Sequence, residues 1–386
     1  MSQSSAIEPA GDALPPQRVL PKLVWYFLRL GTLGFGGPIA LAGYMQRDLV
    51  EKEGWFTKQE YLDGLALSQL APGPLAAQLA MYLGLLRGGI LGATLVGLAF
   101  ILPSFLMVLA LSFCYVKFGG LRWMHAAFYG IGAAVIAIIA RSSYKLVKTA
   151  VGKDKLLWCI FLALLVSTAL TEHEMVWLFL AGGLLFLMVK ARPRFSRATV
   201  SCMLLTGVGV SAPPSLFLQI LFFFTKSALF VFGSGLAIVS FLHGGTVLEH
   251  HWLTEQQFID AVAVAMITPG PVVITVGFIG YLVGGPSGAV AAALGVFVPV
   301  YLVVVIAGPF YKKFSGNPQL RAFVQGVTAA ATGAIAGAVI VLARRSIVDV
   351  PTILIALASL GLLFKWKIPE PLLILAAGIA GLLLQR

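Results

Sequence analysis

The sequence predicts an all-α, polytopic membrane protein made of two homologous halves, and three observations carry that expectation. Of its 386 residues, 59% are hydrophobic and only 11% charged, and the mean hydropathy is +0.95. A soluble domain needs roughly a quarter of its residues charged to cover its surface. Apolar runs of membrane-spanning length recur from residue 22 onward. Finally, the stretch LSQLAPGPLAAQ at 67–78 has a twin, AMITPGPVVIT at 265–275, which places a second Pro-Gly-Pro 197 residues after the first. Laying 27–74 over 224–271 without a gap gives thirteen identities, among them Phe27/Phe224, Trp55/Trp252, Thr57/Thr254 and Asp63/Asp260. After one deletion Pro103 falls on Pro299 and Gly130 on Gly326. This is an internal duplication, with repeats at 22–197 and 198–386.

Residues 1–21 are polar and proline-rich and lack the apolar stretch of a cleavable signal peptide, so they read as a disordered tail. The first apolar segment, 22–45, carries Arg29 and the glycine cluster Gly34-Phe35-Gly36-Gly37-Pro38. The second, 60–86, is started by the interfacial Trp55 and the capping box Thr57-x-x-Glu60, then interrupted by Pro72-Gly73-Pro74. Segments 88–116, 123–147, 156–170 and 175–189 follow, of which 156–170, like 351–364 in the second half, is short for a full span. The second half repeats this order at 216–242, 258–283, 287–311, 321–343, 351–364 and 370–385.

The net charge of +12 does not call for a nucleic-acid partner, because most Lys and Arg lie in short connections, where they set membrane orientation. If every segment crosses, Lys plus Arg divide 15 to 10 between the faces. A re-entrant Pro-Gly-Pro segment leaves five spans per half, inverts the halves and divides them 18 to 7. Loop 46–60 holds Arg47, Lys52 and Lys58, while its counterpart 243–257 holds no Lys or Arg. Both comparisons favour inverted repeats of about five spans plus one re-entrant or broken Pro-Gly-Pro segment. Freed backbone groups cost several kcal/mol each in hydrocarbon, so paired breaks in inverted repeats mark the midplane site of a secondary transporter.

Several residues are candidates for that site. Arg29 and Lys226 occupy equivalent positions inside apolar segments, where a central cation costs about 2.5–3.5 kcal/mol; snorkelling to the interface is the alternative. Phe35, Gly36 and Gly37, with Gly233 and Ser234 in the second half, form glycine-rich loops whose N–H groups suit an anion, or else pack helices closely. The two breaks, Pro72-Gly73-Pro74 and Pro269-Gly270-Pro271, are flanked by Gln78 and Thr275, which either donate to an oxyanion or satisfy freed backbone. Asp63 and Asp260 lie one turn inside their helices, favouring the helix N-terminus or carrying a proton. Cys114, Cys159 and Cys202 are isolated and read as packing residues. The five histidines form no metal-ligand pattern. With no GxSxG, Walker A or dinucleotide fingerprint either, neither an enzyme, a cofactor nor an ATP-driven pump is expected.

The order Phe35-Gly36-Gly37-Pro38, Trp55 to Tyr61, then Pro72-Gly73-Pro74 resembles the chromate ion transporter family, with a looser copy at Phe232-Gly233-Ser234-Gly235, Trp252 to Phe258 and Pro269-Gly270-Pro271. The resemblance covers nearly the whole chain beyond the tail. It implies a two-domain carrier of the bacterial inner membrane that exports chromate and confers chromate resistance. Sulfate has the same shape and charge, so a sulfate carrier is the nearest rival and a passive anion channel a further one. The expected partners are the oxyanion and the lipid bilayer, with a homodimer left open.

Overall fold

The computed structural model describes residues 16–35, 37–118, 122–171, 176–191, 215–229, 237–310, 317–347, 349–366 and 368–384. These are helical nearly throughout. The first half comprises α1 (Pro16–Leu33), α2 (Gly37–Met45), which runs into a π-helical turn Gln46–Lys52, α3 (Lys58–Leu70), α4 (Leu75–Phe118), α5 (Arg122–Ala150), α6 (Lys155–Thr171) and α7 (Val176–Lys190). The second repeats it as α8 (Leu216–Leu229), α9 (Ala237–His243) with π-helical Gly244–Glu249, α10 (Glu255–Ile267), α11 (Thr275–Ala307), α12 (Pro318–Ser346), α13 (Val350–Lys365) and α14 (Glu370–Leu384). Four stretches are long and apolar enough to cross a membrane: Leu75–Phe118, Trp123–Ala150, Val272–Phe310 and Pro318–Arg344. Helix α1 begins at Pro16, inside the stretch read from sequence as tail; residues 1–15 lie outside the described residues.

The Pro-Gly-Pro segment folds back on itself. Arg87, at the end of the first leg of α4, bonds the Glu60 carboxylate at 2.8 and 3.0 Å and the Trp55 carbonyl at 2.7 and 3.1 Å. A straight helix would separate Arg87 and Glu60 by roughly 40 Å, at 1.5 Å per residue. The return brings Gly64 so close to Tyr82 that a Cβ there would lie 2.4 Å from the ring. Thr57 and Glu60 complete the expected capping box, as Thr254 and Gln257 do for α10.

Both α4 and α11 then reverse at a glycine pair. Gly88 (φ −142°, ψ 18°) and Gly89 (φ 57°, ψ −148°) are matched by Gly284 (φ −136°, ψ 21°) and Gly285 (φ 63°, ψ −153°). The positive φ is the conformation that glycine adopts without the Cβ clash. At each reversal the legs touch through glycine: a Cβ on Gly84 would lie 2.4 Å from the Gly92 oxygen, and one on Gly280 would lie 2.3 Å from the Gly288 oxygen.

The first apolar segment is a second hairpin. Tyr26 on α1 donates its hydroxyl to Asp48 at 3.4 Å across 22 residues, whereas one continuous helix would hold them roughly 33 Å apart. The equivalent pair, Phe223 and Gly245, is in contact as well. The expectation of five crossings per half therefore needs correcting, because 22–45 was counted as one span and the chain instead turns back beyond Leu33. Beyond its two hairpins each half has the second leg of α4 or α11 and three further helices, of which α5 and α12 are long and apolar enough to cross a membrane.

The second legs of α4 and α11 meet start to end. Thr94, near the start of the second leg of α4, lies 2.8 Å from the hydroxyl of Tyr301, near the end of α11. Gly308, at the end of α11, abuts Leu85 and Tyr82 at the surface end of the first Pro-Gly-Pro hairpin. The first Pro-Gly-Pro hairpin and the end of α11 thus share one end of the bundle. The halves also exchange helices: α14 packs on α5 through Gly130, Ala377 and Gly381, and α7 packs on α12 through Gly182, Gly183 and Gly326. Small residues let these backbones approach closely, which is how helices associate where lipid removes the hydrophobic drive. Cys114 and Cys159, expected as packing residues, are exposed on the outer surfaces of α4 and α6; Cys202 lies outside the described residues.

Candidate functional site

The two halves meet at their interruptions. Gly270, the middle residue of the second Pro-Gly-Pro, donates its N–H to the Gly34 carbonyl at 2.8 Å. Ser104, buried in the second leg of α4, donates to the Gly31 carbonyl at 3.0 Å. Gly270 has φ 99°, and a Cβ there would lie 1.9 Å from Ser104 Oγ. Only glycine fits that conformation in that space. On the other side Gly73 (φ 129°) faces Val300, the repeat partner of Ser104, with a Cβ position 2.6 Å from its side chain.

The polar residues beside the breaks serve the backbone. Gln78 is fully buried and donates Nε2 to the Pro72 carbonyl at 2.6 Å; its Oε1 is buried without a hydrogen-bond partner. Thr275 donates to the Val272 carbonyl at 2.7 Å, and Thr268 and Ser68 likewise donate to carbonyls four residues back. Pro74 and the Pro269-Gly270-Pro271 turn are buried, and Pro72 is half-buried. Of the two roles the sequence left open for Gln78 and Thr275, the donor groups are engaged in backbone satisfaction.

A cavity of about 780 Å³ leads to this junction, lined by Tyr26, Arg29, Gly34, Phe35, Arg47, Asp48, Lys52 and, from α14, Glu370. At its mouth Asp48 pairs with Arg47 at 2.9 Å and Lys52 at 3.2 Å. The Arg47 hydrogen bond holds the Asp48 carboxyl below the usual carboxylate range despite some desolvation. Arg29, deeper on the wall, is exposed to the cavity and has no ion-pair partner among the described residues. Gly37, with φ 74°, has nothing within 4 Å of a Cβ position. Gly36, Gly233 and Ser234 lie outside the described residues. Lys226 is exposed in the last turn of α8 and does not line the Arg29 cavity.

The paired acids differ. Asp63 is half-buried and accepts from Gln59 at 2.8 Å. Asp260 is 3% exposed and accepts from Tyr115 at 2.7 Å and Gln256 at 2.8 Å. It lines a second cavity, of about 220 Å³, with Tyr115, His125 and Tyr129. Sequence reasoning missed Ser104 and Tyr115, lone polar residues in an apolar helix. It also missed Arg87 as a clamp, although a single cation ending the segment that Glu60 begins is a usable signal.

A sequence profile of the family described as chromate transporter matches residues 21–187 and again 218–382. The chain is 59% identical to the chromate transport protein of Cupriavidus metallidurans, over 95% of this chain and 94% of that one. It is 55% identical to the probable chromate transport protein of Synechococcus elongatus, over 95% and 96%. It is 34% identical to the chromate transport protein of Pseudomonas aeruginosa, over 98% and 95%. No solved structure matches the chain. A duplicated profile over a multi-pass helical bundle whose halves meet at their breaks makes this chain a member of the chromate transporter family, a transporter and not an enzyme.

Proposed function

We propose that the chain is a secondary carrier of the bacterial inner membrane that exports chromate from the cytoplasm and so confers resistance. The observation that carries this reading is the hydrogen bond from Gly270 to Gly34, which lines a cavity together with Arg29. Broken helices meeting from opposite ends, in repeats whose equivalent helices run antiparallel, are the architecture of alternating access between inverted repeats. The names of three relatives supply the substrate, a tetrahedral dianion. A dianion leaving water needs positive charge and several donors, and Arg29, the Phe35-Gly36-Gly37 loop and the Pro-Gly-Pro turns are assigned that task. Lys226, Gly233 and Ser234 are assigned the equivalent task when the site faces the other way.

The cavity end is the cytoplasmic face in this account, since Lys52, Lys58, Arg87, Lys145 and Lys155 all lie at that end and cytoplasmic loops collect Lys and Arg. Everted membrane vesicles containing the protein are expected to take up labelled chromate, with excess sulfate competing only weakly. Sulfate uptake that chromate fails to inhibit would replace this substrate with the rival.

A further inference from the structure

We propose that Asp260 is a proton-binding site open to the outer face, and that proton entry there is exchanged for anion exit. This rests on the carrier reading above. The carboxylate sits inside the protein at 3% exposure and is held by two neutral donors, Tyr115 from α4 and Gln256 from its own helix. No cation pairs with it among the described residues. An ionisable side chain buried inside a helical membrane protein without a countercharge is a candidate functional group.

Water can reach it. The 220 Å³ cavity that Asp260 lines has room for several waters at roughly 30 Å³ each. Its rim includes the exposed His125 and Gln256, at the end of the bundle opposite the Arg29 cavity. Three titratable groups face it from neighbouring helices. Tyr115 is bonded directly to Asp260, while His125 and Tyr129 line the cavity from α5. Tyr129 in turn donates to Asp349, ahead of α13.

The same seam joins this acid to the anion path. Tyr115 and Ser104 are eleven residues apart on α4, close to three full turns, so they share one face. Tyr115 holds α10 at its start through Asp260, and Ser104 packs against Gly270 just beyond its end. A proton passed from hydronium in the cavity to the carboxylate leaves water and a neutral acid. The charge-assisted Tyr115 bond then becomes a weaker neutral one, which loosens the seam that closes on Gly34. Release of the proton to cytoplasmic water restores the bond. Proton entry and dianion exit both move positive charge inward, the direction that an inside-negative potential drives.

The test uses the full-length protein in proteoliposomes, with net chromate efflux driven by acid at the outer face and chromate–chromate exchange measured in parallel. Wild type is expected to perform both, and Asp260→Asn to lose acid-driven net flux while retaining exchange. Acid-driven flux that survives in Asp260→Asn overturns the proposal. Absence of exchange in the wild type instead removes the carrier reading beneath it. Should Asp260→Asn be inactive in both assays, Tyr115→Phe decides: a moved pH midpoint for net flux supports the proton site, and an unmoved midpoint overturns it.

Discussion

Gly270 and Gly34, 236 positions apart, are joined by a backbone hydrogen bond of 2.8 Å, and each belongs to the interrupted part of its own half. Neither break stands alone, because each supplies polar backbone that the other half takes up. That offsets the cost of opening a helix in hydrocarbon, and it places the two interruptions in contact.

The contact tolerates no side chain at Gly270. An L-residue at φ 99° carries strain on the order of 1–3 kcal/mol, and the Cβ position is 1.9 Å from Ser104 Oγ. Gly270→Ala is expected to abolish chromate flux and lower the melting temperature in detergent. Adding Ser104→Gly should recover part of the melting temperature, since it removes the clash but leaves the φ strain.

Arg29→Gln keeps length and some hydrogen bonding but removes the charge. Hydrogen bonds to charged groups contribute about 1.5–3 kcal/mol, so the KM for chromate in everted vesicles should rise about ten- to a hundredfold at normal membrane abundance. A snorkelling role predicts an unchanged KM.

The Arg87–Glu60 clamp is structural in this account. Its side chains are 16% and 32% exposed, and breaking one partner of a largely buried pair leaves an uncompensated charge. Arg87→Met should destabilise the protein by about 1–3 kcal/mol, read as a lowered thermal midpoint. The double variant Arg87→Met/Glu60→Met should be less destabilised than the single.

Much of the architecture was legible because proline and glycine report backbone geometry directly. Pro-Gly-Pro marked both breaks, and the duplication reappears as two segments matched by one family profile. The hairpin of α1 and α2 escaped because its largely apolar segment of 24 residues, 22–45, is as long as a single span, and the tertiary contact that folds it, Tyr26 to Asp48, has no local signature. Ser104 and Tyr115 escaped for a related reason. A lone hydroxyl in an apolar helix normally bonds its own backbone, as Ser112 does to Val108, and only the fold tells the two cases apart. Gln78 was visible as a polar residue beside the break, but its geometry serves the Pro72 carbonyl.

Opposed halves make a labelling prediction. In a background without Cys114, Cys159 and Cys202, single cysteines replacing Lys52 and Glu249, both exposed, should react with an impermeant thiol reagent from opposite faces, Lys52→Cys from the cytoplasmic one. Reaction of both from one face would contradict inverted repeats.

The central claim is that chromate passes by alternating access at the junction of Gly34 and Gly270, and counterflow tests it most directly. Proteoliposomes loaded with unlabelled chromate and diluted into a trace of labelled chromate should accumulate label transiently above its equilibrium level, because unlabelled chromate inside occupies the inward-facing site and keeps entering label from leaving. Label that rises monotonically to equilibrium, with no overshoot at any internal concentration, would contradict the account and describe a pore.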